Sequence, residues 1–548
     1  MLRSMRPHRA SAAVVAALAC LPSACSCSRR APSAAAPSEL LHHTVRLDAG
    51  GQLLPWTSYA HVAQLAWSAL ETRFPPQDNG LPTYMAYSRF DPDEFWGVSW
   101  PHNPAGLYAM LTDSAVLWYA FSGDEQAVAL ARRVLDHQLA HGTTPATWDW
   151  ASVPYASANP GDVDYGGADD AWCDFCGRGD GVGVIEPDKV GELGFAYLQM
   201  FEYSGEARYG AAAQACADAL ARHARDGDTT HSPWPFRVYA QTNVAREEYS
   251  ANVVGALMLF DELSRLRLGD GDAYARARAT TYAWMMRVPM QNQAWSGYFE
   301  DIDIQADPAA NPNQYAALRA ARWLLQHEGE PGADPRWREH AGGLLAWALQ
   351  TFGGDTERER GTQFGATVMS EQRVDMAKMG SHTARYGATL ALFSAVTGDG
   401  PALDRAARSL SWATYVCDER GVVTVGEDKN EGWWFSDGYG DYIRHFLFAM
   451  GRVPDWAPQG ETHLLRSSSI VTHVDYRPGR VAWTAFDGDA TETLRMPSRP
   501  SRLSASGDAL VERSDLDEPG YVVRPLPSGG VVLRVRHRGA GEVVVTGP

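Results

Sequence analysis

Apolar residues recur at positions i, i+3, i+4 and i+7 through most of this chain, in arms such as "LWYAFSGDEQAVALARRVLDHQLAH", "LQMFEYSGEARYGAAAQACADALARH", "FDELSRLRLGDGDAYARARATTYAWMM" and "LALFSAVTGDGPALDRAARSLSWATYV". That period predicts amphipathic helices, not strands. Each stretch reads as two helices joined by a short Gly-Asp or Gly-Glu turn, and a looser copy, "RWLLQHEGEPGADPRWREHAGGLLAWAL", fills the gap before the last. Gly123, Gly205, Gly269, Gly332 and Gly398 mark the turns. Glycine suits the left-handed position that closes a helix, and the acid after it suits the start of the next. With an opening helix near Ser58–Phe74 and a closing one near Tyr439–Met450, the pattern predicts about twelve helices in six hairpins.

The connections are unequal. Within a hairpin the link is a few residues, whereas between hairpins it is long, polar and aromatic, as in "TYMAYSRFDPDEFWGVSWPHNP" or all of Gly142–Gly191. Loops of that length in a compact domain are usually functional. Helices that alternate up and down place every long loop at one end, which predicts a binding face there. From about Pro454 the period changes to two, with valine enrichment and Pro-Gly and Ser-Gly-Gly turns, predicting a small antiparallel β domain over 453–548.

The chain starts differently. "MLRSMRPHR" is basic, "ASAAVVAALACLPSAC" is short and apolar, and "SCSRRAPSAAAPSE" is polar and of low complexity. This is the layout of a secretory signal. "LPSAC" is similar to a bacterial lipobox, with Pro22 where leucine is usual, and Cys20 and Cys27 are rivals to Cys25 for the lipid. We therefore expect a lipoprotein-type signal over 1–25, a polar tether over 26–51, export to the periplasm or cell surface, and membrane attachment only through an N-terminal lipid. The net charge of −18 argues against a nucleic-acid partner. Nineteen Trp and 22 Tyr supply core or stacking surface.

Cys173 and Cys176 form a C-x-x-C among Asp and Gly, with no second metal-ligand pair and no strand before them, so a loop disulfide or two thiols is expected over zinc or redox chemistry. Cys216 and Cys417 read as core. The glycine run before Glu186 lacks the Gly-Lys-Ser/Thr ending of a phosphate loop.

The loop ends carry the candidate chemistry. "DEFWGVSWPHNP" gives Asp93, Glu94 and His102 among Trp96 and Trp100, a stacking wall or a loop plug. "GVIEPDKVGELG" gives Glu186, Asp188 and Lys189 before a helix; Asp188 has a blander role as a helix cap, and Glu192 as a dipole partner. "VAREEYSANVVGAL" offers Arg246, Glu247, Glu248, Tyr249 and Asn252 at the start of an apolar helix, with Arg246 as a clamp for a carboxylate or simply part of a solvated start. "WSGYFEDIDIQ" adds Trp295, Tyr298, Glu300, Asp301 and Asp303, a cleft edge or a structural calcium site. In "MAKMGSHTARYGATLAL" His382, Arg385 and Tyr386 open an otherwise small and apolar helix. "EGWWFSDGYGDYIRHF" closes with Trp433, Trp434, Asp437, Tyr439, Asp441 and Arg444.

On its hairpin repeat and aromatic-acidic loops, the stretch 52–452 resembles the six-hairpin α/α-toroid glycosidases and toroid polysaccharide lyases, several of which carry a β-sandwich after the toroid. Unsaturated glucuronyl hydrolases, glucuronidases, heparinase-like lyases and glucuronyl epimerases share that shape. The resemblance implies a mainly α (α/α)₆ toroid with a cleft on the loop face and a glycan as substrate, with uronate-containing chains favoured. Hydrolysis by paired carboxylates drawn from Glu186, Asp188, Glu247, Glu248, Glu300 and Asp301 is the first expectation, with Trp96, Trp100 and Trp434 stacking the ring and no cofactor. Elimination or C5 epimerisation through His382, Tyr386 and Tyr249, with Arg246 or Arg385 on the carboxylate, follows closely. A non-catalytic glycan-binding lipoprotein is the reading from another class; it needs aromatics but no paired acids.

Overall fold

The computed structural model describes residues 39–169, 172–173, 177–297, 308–330, 332–353, 364–426 and 433–547. The signal segment, Cys176, the side chain of Cys173, and Tyr298, Glu300, Asp301 and Asp303 lie outside the described residues.

Among the described residues, twelve long helices form the main body: α1 (Tyr59–Thr72), α2 (Pro104–Ser122), α3 (Glu125–His141), α4 (Pro187–Ser204), α5 (Ala207–His223), α6 (Val254–Leu266), α7 (Gly271–Arg287), α8 (Gln314–Gln326), α9 (Trp337–Phe352), α10 (Gly380–Thr397), α11 (Gly400–Thr414) and α12 (Asp441–Arg452). The hairpin turns form as the sequence predicts. Gly123, Gly205 and Gly398 close α2, α4 and α10 in the left-handed conformation. Asp124, Asp270 and Asp399 then cap the next helix, each accepting a backbone N–H bond at 3.1, 3.0 and 2.8 Å. Glu206 holds the same place without a side-chain bond.

The even-numbered helices pack in a ring, α2 on α4, α4 on α6, α6 on α8, α8 on α10, α10 on α12 and α12 back on α2. They are buried over most of their surface, and α2, α4 and α10 are largely small and apolar, whereas α6, α8 and α12 carry charged residues among their apolar ones. The odd-numbered helices lie outside and bury one stripe. Closure joins the two ends of the toroid, since the opening helix α1 packs on the closing helix α12. This is the (α/α)₆ toroid that the hairpin repeat implies.

Ring helices approach closely through glycine. A Cβ on Gly191 of α4 would sit 2.6 Å from the backbone nitrogen of Ala256 on α6, and one on Gly255 would meet the Glu192 side chain. Gly191→Ala is therefore expected to lower stability by about 1–3 kcal/mol, because backbone cannot move aside as a side chain can. A urea midpoint indistinguishable from wild type would show that the two helices separate freely.

Residues 463–546 form two antiparallel sheets. Strands are β1 (His463–Ser467), β2 (Val471–Arg477), β3 (Arg480–Ala485), β4 (Ala490–Met496), β5 (Arg502–Ala505), β6 (Asp508–Ala509), β7 (Gly520–Pro525), β8 (Val531–His537) and β9 (Val543–Thr546). One sheet runs β1-β4-β8-β7 and the other β2-β3-β9-β5-β6. Leu464, Leu494 and Leu533 of the first share a core with Val481, Trp483 and Val545 of the second. The domain seats on the short-turn end of the toroid: Tyr476 donates to the Ala120 carbonyl at 2.6 Å, and His463 meets the Phe121 carbonyl at 2.9 Å. It closes the end opposite the long loops.

Residues 39–54, part of the stretch read as a tether, form two short hairpins against the toroid, with the His43 ring 3.7 Å from Trp56. Cys216 and Cys417 are free and buried, as expected for core.

Candidate active site

The ring helices start at the long loops, so their first turns line the loop-face end of the axis. A set of their charged residues falls at that level and just below: Asp113 on α2, Lys189 and Glu192 on α4, Arg319 on α8, Arg385 on α10, and Asp441, Arg444 and His445 on α12. Above them sits a pocket of about 50 Å³ walled by Ser88, Lys189, Tyr315, Glu371, His382, Trp434 and Asp437, among others.

Two backbone irregularities deliver its carboxylates. Glu371 comes from a hairpin, Ser370–Gln372 paired with Asp375–Lys378, at the point where the register shifts between Ser370 and Gln372. A bulge there re-aims the side chain. Asp437 comes from the π-helical turn Ser436–Gly440 that leads into α12. Both converge on His382, in the first turn of α10. Its Nε2 lies 3.1 Å from Glu371 Oε1 and 3.6 Å from Asp437 Oδ1. Ser381 donates to Asp437 at 2.7 Å. The Arg385 guanidinium meets His382 Nδ1 at 2.5 Å, and because arginine can only donate, the imidazole proton belongs on Nε2, facing the carboxylates. The Glu371 and Asp437 side chains are 12% and 18% exposed, against 3% for His382, so the acids front the pocket and the imidazole stands behind them.

The two acids are pushed in opposite directions, so that below about pH 6 Asp437 keeps its proton while Glu371, until the pH falls to its own lower value, does not. Burial pushes Asp437 up to about 6, helped by the charges of Glu371 and Asp441 and opposed by His382. Burial works the same way on Glu371, but His382 and Arg385 outweigh it and hold its carboxyl below the usual value.

A charged layer supports them. Asp441 pairs with Arg385 and Arg444 and lies 3.1 Å from His445 Nε2. Against the cost of burial these cations hold Asp441 well below the ordinary carboxylate range. Burial drives His445 down to about 3, so it is neutral. Beside this layer Asn252 donates to Asp188 at 2.8 Å and to Glu192 at 3.0 Å, and Tyr315 donates to Glu192 at 3.1 Å. Arg319 pairs with Glu192 and, with Lys189, keeps it ionised despite burial. Trp100 and Trp434 meet edge to face at 5.1 Å, and Arg89 lies over both, at 5.5 and 5.6 Å.

Of the residues expected from sequence, His382, Arg385, Asp437, Trp434 and Lys189 wall this pocket; Asp188 and Asn252 belong to the adjoining network, and Trp100 packs on Trp434. The others are placed elsewhere. Glu186 is fully buried against Arg237 at 2.9 Å. Glu247 stands 3.8 Å from Arg237 and 3.4 Å from Arg246, and Glu248 pairs with Arg225 at 2.5 Å. Arg246 and Glu247 lie on a strand, Val244–Glu247, and not at a helix start, because they pair with Arg237–Tyr239 and α6 begins only at Val254. Arg246 donates to the Asp180 carbonyl and Tyr249 to the Ala294 carbonyl. Asp188 is not a cap: Glu186 is the residue before α4, and Asp188 lies in its first turn. His102 is buried between Ser88 and Tyr108, where burial drives it down to about 3. Tyr386 is buried beside Arg405 and does not line the pocket. Trp96 is 41% exposed.

Sequence reasoning missed Glu371, Tyr315, Arg319 and Asp113. The last three interrupt ring helices that are mostly apolar, a signal that was legible. Glu371 sits in "MSEQRVDMAK", a mostly polar segment ahead of the helix that carries His382, with no period that marks its hairpin.

Among the described residues, no group of three or more His, Cys, Asp or Glu side chains is arranged to hold a metal ion.

No protein-family model and no curated protein matches the chain. Solved structures do. The cellobiose 2-epimerase of Spirochaeta thermophila DSM 6192 superposes with a TM-score of 0.52 at 14% identity, covering 72% of this chain and 96% of that one. A D-mannose isomerase superposes with a TM-score of 0.51 at 11% identity, covering 72% of this chain and 97% of that one. At such identity the likeness establishes the fold, the six-hairpin α/α toroid.

Proposed function

We propose that this chain is a carbohydrate-active enzyme, and that it hydrolyses a glycosidic bond at the loop-face pocket. One observation carries the reading. Two carboxylates whose proton affinities are pushed in opposite directions front a single pocket edged by tryptophan. A pair of titratable groups pushed apart in this way divides the acid and base roles. Asp437, protonated below about pH 6, gives its proton to the departing glycosidic oxygen. Glu371, ionised, takes a proton from the attacking water or itself attacks the anomeric carbon. His382 holds both acids in place and is itself fixed by Arg385. Trp434 offers the apolar contact that a sugar face needs, and Lys189 and Arg385 at the wall favour an acidic sugar such as a uronate. A glycan binder without catalysis would not need acids held apart in protonation.

A second reading has its own support. The imidazole of His382 directs a proton between two carboxylates, a set that also suits proton transfer next to a sugar carbonyl, and the two named neighbours are an epimerase and an isomerase. Incubation with uronate oligosaccharides and with free sugars in D₂O separates the two. New reducing ends without deuterium in recovered sugar support hydrolysis; deuterium on carbon without new reducing ends supports epimerisation or isomerisation.

The pH dependence follows from the same pair. An acid with its midpoint at about 6 loses its proton as pH rises through that value, so kcat/KM is expected to fall on the alkaline side there. The acid limb lies where Glu371, held low, becomes protonated. A rate that climbs between pH 6 and 8 contradicts the assignment of Asp437 as the acid.

A further inference from the structure

Below the candidate catalytic groups the toroid axis is hollow. A cavity of about 420 Å³ runs down to residues 464–471 of β1 and the turn that follows it. Its wall is rich in arginine, in two classes. Arg265, Arg319, Arg385 and Arg444 each have a carboxylate partner. Arg322 and Arg466 have none among the described residues. The Arg322 guanidinium carbon lies 3.5 Å from the centre of the Phe448 ring, and that of Arg452 lies 4.9 Å from the same centre. Arg452 Nε is buried with no hydrogen-bond partner. Two guanidiniums, from α8 and α12, thus share one phenyl ring, and Arg466 of β1 lines the cavity beside them.

Other cations act on each of them: Arg466 and Arg322 on Arg452, Arg534 on Arg466, and Arg444 and Arg319 on Arg322. Asp113 and Asp441 reach Arg322, but both are already engaged by Arg444. Burial lowers Arg322 to about 10 and Arg452 to about 9, which leaves both charged at neutral pH. Buried charge without a partner is costly, and a bound anion removes that cost. The planar guanidinium fork matches the oxygens of a phosphate, sulfate or carboxylate.

The cavity has its own access. Gln326, at the end of α8, and Ser468, after β1, both line it and are exposed. That mouth is on the short-turn side, away from the long loops. We propose that Arg322 and Arg466, which line the cavity with Arg452 close behind them, form a binding site for a compact oxyanion, free or carried on a sugar, at the junction of toroid and β domain. The site does not depend on the hydrolase reading.

Calorimetric titration of the intact chain with inorganic phosphate, at constant ionic strength, tests it. Saturable binding is expected, weakened at least about tenfold in Arg322→Gln and in Arg466→Gln, because each loses a charge-assisted contact. Without phosphate both variants are expected to melt at or above the wild-type temperature, since a repelling charge is gone. Phosphate, but not matched chloride, should raise the melting temperature of the wild type, a reading that needs no variant. Titration with glucose 6-phosphate distinguishes the source: tighter binding than phosphate assigns the site to a sugar-borne anion, equal binding to the free ion. The proposal is overturned if phosphate, sulfate and glucose 6-phosphate all give no saturable heat, or if the heat is unchanged in both variants.

Discussion

Asp437→Asn is expected to lower kcat by about 10² to 10⁴-fold while leaving the fold intact, since general acid catalysis contributes that much and the amide cannot give up a proton to a leaving oxygen. The amide oxygen can still accept from Ser381, as the carboxylate does at 2.7 Å. Stability should move the other way. A carboxyl raised in the folded state binds its proton more tightly there than in the unfolded chain. Its contribution is therefore complete below the ordinary aspartate value and is lost as pH rises through about 6. At pH 7.5 the ionised, desolvated Asp437 is a burden that asparagine lifts, so the variant should melt at a higher temperature than wild type. At pH 4 the difference should shrink. A variant inactive because it is misfolded would melt lower at both pH values, and one that keeps activity within about tenfold removes Asp437 from the acid role.

Asp441→Asn is expected to be the most destabilising of the site substitutions. The carboxylate faces Arg385, Arg444 and His445 and is 2% exposed. Removing one partner of a buried ion pair costs about 3–5 kcal/mol, because the charge left behind stays out of water. Here the Arg385 guanidinium would lose its carboxylate, while Arg444 keeps Asp113 at 3.4 Å. Activity should fall with stability, since Arg385 fixes His382 through Nδ1, and His382 in turn sets Glu371 and Asp437. Urea unfolding monitored by tryptophan fluorescence measures the loss. A change below about 1 kcal/mol would mean that water or a shifted side chain replaces the carboxylate.

The architecture was legible because it is written locally. A left-handed glycine and a capping aspartate at Gly123 and Asp124, repeated at Gly398 and Asp399, define a hairpin without knowledge of what it packs on. The closure of α1 on α12 and the change of period near Pro454 follow from the same reading. The site was legible only where its residues share one helix start. His382 and Arg385 are three apart on α10 and belong together in the structure as in the sequence. The sequence offers Asp437 only as one polar member of the closing aromatic segment; its neighbourhood with Glu371 marks it as an acid, and the two are brought together only by the ring.

Glu186 and Glu247 show the limit from the other side. Both stand where a catalytic carboxylate would be sought, beside a glycine-rich loop or a charged run. Arg237, 51 residues after Glu186, buries that glutamate at 2.9 Å, and it approaches Glu247 at 3.8 Å from the strand paired with Glu247's own. Nothing near Glu186 in sequence announces that arginine. Glu371 was missed for a related reason. Its direction is set by a bulge between Ser370 and Gln372, and a polar loop reading gives a side chain no direction. Conversely, charged residues within the buried ring helices could have been found, since a charge inside a helix buried over most of its surface must meet a partner.

The most direct test of the account is release of reducing ends from a panel of uronate-containing oligosaccharides by wild type, Asp437→Asn and Glu371→Gln in parallel, with absorbance of C4–C5 double bonds followed in the same samples. The account predicts new reducing ends with wild type, no double bond, and release reduced by about 10²-fold or more in each variant. Release that survives both substitutions, or conversion of sugar without any new reducing end, contradicts it.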